Sequence, residues 1–115
     1  MLLNINNAKI AGNLTRDPET VQLPGDKTLT KFTLAVNDAV NRDAEPTYVD
    51  FVAFGQTGTL IESLTEKGNN LYVEGRLSIR NYTDKDGNKR KSTEIVVGSF
   101  QALTRKAKAT AEAAA

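Results

Sequence analysis

The sequence predicts an all-β fold, a five-stranded barrel with one helix between its third and fourth strands. Three observations carry this expectation. Tyr48-Val-Asp-Phe-Val-Ala-Phe54 is a β-branched and aromatic run that Gly55 ends. Thr57 to Lys67 then has helical spacing and stops at Gly68. Leu71 to Arg80 resumes the alternation of a strand.

The remaining elements follow in order. Asn4 to Leu14 is a first strand, with Ile5, Ala8, Ile10 and Leu14 as its apolar positions and Gly12 where a bulge or a tight bend falls. Arg16-Asp-Pro-Glu19 is a turn, because Pro18 fixes its own φ and pushes Asp17 out of the helical region. A short strand, Thr20 to Leu23, leads through Pro24-Gly25-Asp26-Lys27 into a second long strand. There Phe32, Leu34 and Val36 share one face and Lys31, Thr33 and Ala35 the other. Asn37 to Thr47 is polar and turn-rich and reads as a flexible loop over the barrel.

On the next strand Tyr48, Asp50, Val52 and Phe54 share one face, and Val49, Phe51 and Ala53 the other. Both faces carry aromatic residues, so either the strand is buried on both sides or one aromatic face meets a partner; one of Phe51 and Phe54 belongs to the core, and Phe51 serves equally well as the outer ring. In the helix Thr59 and Glu62 have capping-box spacing, and Leu60, Ile61 and Leu64 form a stripe that plugs one barrel end. On the fourth long strand Leu71, Val73, Leu77 and Ile79 are expected inside, with Gly75 at a bend. Tyr72, Glu74, Arg76, Ser78, Arg80 and Tyr82 lie opposite. Asp84-Lys-Asp-Gly-Asn88 signals a hairpin with a primed turn, Ser92 to Val97 returns, and Gly98 to Leu103 adds a short closing strand. Barrel strands interrupted once by a helix in this order make an OB-fold, a common platform for single-stranded nucleic acid.

A chain of 115 residues makes one domain, here 1–103, followed by a disordered or frayed tail over 104–115. No apolar run approaches the roughly 20 residues of a membrane span. The first residues lack the pattern of a signal or transit peptide, so the cytoplasm is the expected compartment. With no cysteine and no histidine, disulfides, thiolate metal sites and the usual general base are missing. Carboxylate pairs such as Glu62 with Glu66 or Asp84 with Asp86 have no third ligand spaced nearby. Neither an enzyme nor a cofactor is expected.

Net charge is only +1, so an argument for nucleic acid rests on where the charges sit. Arg76, Arg80, Lys85, Lys89, Arg90 and Lys91 stand against Asp84 and Asp86 on the fourth strand and its hairpin, a local net of +4. Tyr82 shares a strand face with Arg76 and Arg80, and Tyr48 and Phe54 supply rings from the neighbouring strand. Rings that stack bases, interleaved with cations that hold phosphates, form a track for single strands. The same charges also suit a solvated hairpin that blunts a sheet edge, and the spacing alone leaves both readings open.

The ordered set Gly12-Asn-Leu-Thr-Arg-Asp-Pro-Glu19, Phe32-Thr-Leu-Ala-Val36, Phe54-Gly55, Lys67-Gly68, Leu71-Tyr-Val-Glu-Gly-Arg-Leu77, Tyr82-Thr-Asp-Lys-Asp-Gly87 and Thr93-Glu-Ile-Val-Val97 resembles bacterial-type single-stranded DNA-binding proteins. The resemblance implies a homotetramer paired through the first strands, wrapping single-stranded DNA with little sequence preference in replication, recombination and repair on nucleoid DNA. It implies stacking by Tyr48, Phe54 and Tyr82 and phosphate contact by Arg76 and Arg80. The chain departs from the family pattern in having no tryptophan, Val40 near a usual stacking position, Asn7 where a lysine is frequent and Asp50 where an arginine is common. Weaker stacking and a thinner or rerouted phosphate track follow. The end Arg105-Lys-Ala-Lys-Ala-Thr-Ala-Glu-Ala-Ala-Ala lacks the family's acidic tip, so protein partners recruited through such a tail are not expected. An RNA-binding or primosome-type OB accessory protein, and an OB module whose aromatic face meets a protein, are the competing readings.

Overall fold

The computed structural model describes residues 2–105, so the expected tail lies outside it from residue 106 on. Six strands and one helix follow in order: β1 Ala8–Leu14, β2 Glu19–Leu23, β3 Lys27–Val36, β4 Thr47–Phe54, α1 Gly55–Leu64, β5 Asn70–Thr83 and β6 Lys89–Ala102. The count of six reconciles with five barrel strands because β1 and β2 both run antiparallel along β3. β1 pairs through Asn13↔Ala35 and Leu14↔Leu34, and β2 from Glu19↔Lys31 to Leu23↔Lys27. They are two arms of one run, broken at the Pro18 turn. The strands close a ring in the order β1-β5-β6-β4-β3, returning to β1. This is the OB-fold order, with the helix between β4 and β5.

The core collects the inward residues of this ring: Leu14, Phe32, Leu34, Phe51, Ala53, Ile61, Leu71, Val73 and Ile95. Phe32 and Phe51 are direct cross-strand partners, and their rings stack at 5.0 Å with planes 4° apart. Such a pair adds about 0.5–1.5 kcal/mol to the burial of its area. Phe51 is therefore core, and Phe54, on the other side of the strand, is the outward ring.

The helix begins earlier than its spacing suggests. Phe54 is extended, Gly55 turns the chain at φ 61°, and the helix starts there with no side-chain cap. The Thr59 hydroxyl donates to Gln56 O, so the capping box does not form. The helix also closes early, at Leu64, where the Thr65 hydroxyl and N–H both donate to Ile61 O. Gly68, at φ 91°, belongs instead to the following turn, where its N–H donates to Leu14 O. Ile61 is buried in the core and Leu64 half-buried, while Leu60 faces out. Gly58 lets the helix lie close on the barrel end: a Cβ there would stand 2.4 Å from Thr30 Oγ1 and 2.6 Å from Ala53 O.

Four further expectations change. β1 starts at Ala8 rather than Asn4, and Ile5 is exposed; the Asn6 side chain, instead of a strand backbone, bonds Leu77 N and O at 2.8 Å each. Leu77 and Ile79 are 42% and 55% exposed rather than internal. Their strand outlasts the barrel, and beyond Leu77 it runs with β6 as a two-stranded arm. The returning and closing strands are one element, β6, with an irregularity opposite Glu74 and Gly75 where Gly98 has no partner. At the arm's tip only Gly87 has a positive φ; the turn closes through Gly87 N–H to Asp84 O at 3.1 Å, and Asp86 stays at negative φ. A four-residue turn with one glycine replaces the primed pair.

The opposite fates of Phe51 and Phe54 make a test in denaturant unfolding. Phe51→Ala is expected to lower stability by about 3–5 kcal/mol. Phe54→Ala should cost about 0.5 kcal/mol, as a surface change does. Equal losses would contradict the assignment of the two faces.

Candidate nucleic-acid interface

Strand register carries the outward residues of four strands onto one continuous face. On β4, alternation turns Tyr48, Asp50, Val52 and Phe54 away from the core, beside Leu29, Lys31, Thr33 and Ala35 of β3. The parallel pairs Phe51↔Ile95 and Val52↔Val96 continue that face onto β6. From there Arg76↔Val96, Ser78↔Glu94, Arg80↔Ser92 and Tyr82↔Arg90 carry it onto β5. Tyr48, Phe54, Arg76, Arg80, Tyr82 and Arg90 therefore share one side of the sheet. The three rings are 64%, 52% and 51% exposed for Tyr48, Phe54 and Tyr82, an unusual state for large apolar surface without a partner.

The structure separates the other predicted cations. Lys89 and Lys91 pair with Thr83 and Asn81, which puts them by alternation on the back of the arm with Leu77 and Ile79. Lys85 sits in the turn at the tip. Even so, Lys89 and Lys91 line one open groove of about 500 Å³ together with Tyr82 and Arg90. Val40 is exposed in the loop between β3 and β4, where the Asp38 carboxylate accepts from Val40 N–H and Asn41 N–H. Those two bonds, Asn41 first, hold the Asp38 carboxyl below its usual range. Tyr72 is tied down differently: its hydroxyl donates to Glu74, which, ahead of burial, raises the phenol above its ordinary value.

Two of the predicted cations already have carboxylate partners. Arg80 Nη2 lies 2.9 Å from Glu94 Oε1, and Arg90 Nε lies 3.0 Å from Asp84 Oδ2. The Asp84 carboxylate also accepts from Asp86 N–H at 3.0 Å and Asn88 N–H at 2.9 Å, which locks the tip of the arm.

Three cations on or beside this face were not singled out from sequence. Lys27 shares a groove of about 490 Å³ with Phe54 and Gln56 at the barrel end. Arg16 and Lys31 share a smaller groove of about 240 Å³ with Asp50, Arg80 and Glu94. The alternation of β3 had put Lys31 opposite Phe32, but which strand lies beside it depends on the Lys31↔Val52 register, which no local pattern reveals. Among the described residues no cluster of three acidic side chains offers a metal site. Among the described residues no helix is long and apolar enough to cross a membrane.

The model of the single-strand binding protein family matches residues 5–103. The chain belongs to that family. Among proteins similar to this family member are the single-stranded DNA-binding protein of Clostridium perfringens, 38% identical over 97 residues, and single-stranded DNA-binding protein 1 of Xylella fastidiosa, 32% identical over 111. The first match covers 84% of this chain and 64% of its relative, the second 91% and 82%. Single-stranded DNA-binding protein 2 of Staphylococcus aureus is 34% identical over 102 residues, covering 86% and 72%. The chain thus spans less than two thirds of the Clostridium protein.

In this family member the lock at the arm's tip has a pH signature. The Arg90 side chain, then the Asn88 N–H, hold the Asp84 carboxyl below the usual value of 3.8; burial opposes them, and the Asp86 N–H adds the least. A carboxyl depressed on folding stabilises the turn above its unfolded value, and that stabilisation disappears as pH falls through the lower folded value. Carboxyl-carbon NMR should give Asp84 a midpoint below 3.8. Arg90→Gln should move it upward, and a wild-type midpoint at or above the usual value would contradict the lock.

Proposed function

We propose that this protein binds single-stranded DNA without sequence preference, covers it during replication, recombination and repair, and performs no chemistry on it. The observation that carries the reading is the single outward face on which Tyr48, Phe54 and Tyr82 are exposed beside Arg76, Arg80 and Arg90. Rings bind any base through its π-face, and cations bind any phosphate, so the combination is indifferent to sequence. Lys85, Lys89 and Lys91 extend the positive surface around the arm, where a strand leaving Tyr82 continues. The binding domain is 1–103, and 104–115 lies beyond the family match. The protein works in the cytoplasm on nucleoid DNA.

The same reading includes self-association as a homotetramer. Its support is the apolar surface left exposed at Leu2, Leu3, Ile5, Leu77 and Ile79, none of which belongs to the core. An interface between copies would cover it.

Fluorescence anisotropy of a labelled oligo-dT of about 35 nucleotides tests the binding, a length spanning several OB domains at about 4–16 nucleotides each. Binding is expected to be tight, to weaken with salt and to exceed that for duplex DNA and for oligo-U. Tyr82→Ala should weaken it by about 5- to 150-fold, the equivalent of about 1–3 kcal/mol for one stacked base. Absence of binding at low salt would overturn the reading. Stronger binding of oligo-U would assign the face to RNA instead.

A further inference from the structure

We infer that Arg16 and Lys31 hold the phosphates of a bound single strand between the stacking positions at Phe54 and Tyr48, taking a role that the position of Asp50 cannot fill. The inference rests on the proposed binding of single-stranded DNA and adds to it the course of the backbone across the barrel.

The gap between the two rings needs positive charge. Tyr48 and Phe54 are six residues apart on one strand, about 20 Å at roughly 3.3 Å per residue. Even a strand stretched to twice the rise of about 3.4 Å per nucleotide found in duplex DNA passes about three phosphates over that distance. Between the rings β4 presents only Val52 and Asp50, and Asp50 is ordered as an anion-bearing acceptor by the Thr33 hydroxyl at 2.7 Å. β4 itself thus opposes a phosphodiester in the gap.

Lys31 and Arg16 supply the missing charge. Lys31 is the direct partner of Val52 on the outward face, and Arg16 lines the same groove with Lys31, Asp50 and Arg80. Among the described residues the ion pairs are Arg80 with Glu94 and Arg90 with Asp84, so Arg80 enters the groove already neutralised while Arg16 and Lys31 do not. Arg16 is also held in place. The Thr15 N–H and hydroxyl both donate to Thr33 O, at 3.1 and 3.3 Å, and the Asp17 carboxylate accepts from Lys67 N–H at 2.7 Å. The residues on either side of Arg16 are pinned to β3 and to the segment after α1, which directs its turn over the groove.

The test is the salt dependence of oligo-dT binding by Arg16→Gln, Lys31→Gln, the double variant and Lys31→Arg, measured against wild type. Both positions are exposed, so folding is not at stake, and the slope of log K against log salt does not depend on the fraction of active protein. Each phosphate contact contributes about 0.7 to that slope for single strands. Each single variant should lower the slope by about 0.7 and the double variant by about 1.4, the latter a 25-fold smaller gain in affinity on tenfold dilution of salt. Lys31→Arg should keep the wild-type slope. If wild type is salt-sensitive and the glutamine variants match it, the inference fails while the binding reading stands. If wild type does not bind oligo-dT, both fail together.

Discussion

Two backbone pairings decide what this molecule presents to its surroundings. Phe51↔Ile95 and Val52↔Val96 are the whole parallel contact between β4 and β6, the parallel seam of an otherwise antiparallel ring. Most antiparallel neighbours in this chain are joined by hairpins or run the length of a strand; the seam has neither aid, and β1 likewise meets β3 through only two pairs. The seam is held because Phe51 and Ile95 both point into the core, so hydrophobic burial supplies what hydrogen-bond count does not. A one-residue slip there would turn either strand inside out. The seam thereby ties the outward side of β4, with Tyr48 and Phe54, to the outward side of β5 and β6, with Arg80, Tyr82 and Arg90.

The interior and the outer face obey different rules as a result. Inside, the flat stack of Phe32 on Phe51 and the close seat of Gly58 against Thr30 leave no room for change. Outside, the organising forces are charge pairs and main-chain caps. Exposed ion pairs add little to stability; their effect here is geometric, fixing Arg80 against Glu94 and Arg90 against Asp84. Face and core are coupled through alternation alone, one side of each strand for each task.

Much of this was legible beforehand, and the failures have a common cause. The alternation in Phe32-Thr-Leu-Ala-Val36 reads directly as one buried and one open side, and the order of strands and helix follows from local breaks at Gly55 and Gly68. Alternation splits Phe51 from Phe54 but carries no sign, so only the pairing with Phe32 tells which is inside. It likewise groups Leu77 with Leu71 and Val73, yet it contains nothing about where a barrel ends and an arm begins. The capping spacing of Thr59 and Glu62 lost to a glycine turn that puts the cap position at Phe54, five residues sooner. Arg16 and Lys31 were invisible for a longer-range reason: their neighbours Asp50 and Arg80 come from strands far along the chain.

The Asn6 amide has a consequence for the outer edge of β5. By donating to Leu77 O and accepting from Leu77 N–H, it imitates the peptide group of a neighbouring strand at one rung only. Below that rung the edge is taken by β1, from Asn70 to Gly75. Above it the main-chain groups of Ile79, Asn81 and Thr83 point the same way by alternation. The edge is therefore stoppered at its base and open toward its tip, so an extended peptide that added itself as a new strand would have a defined starting rung and only one direction in which to grow.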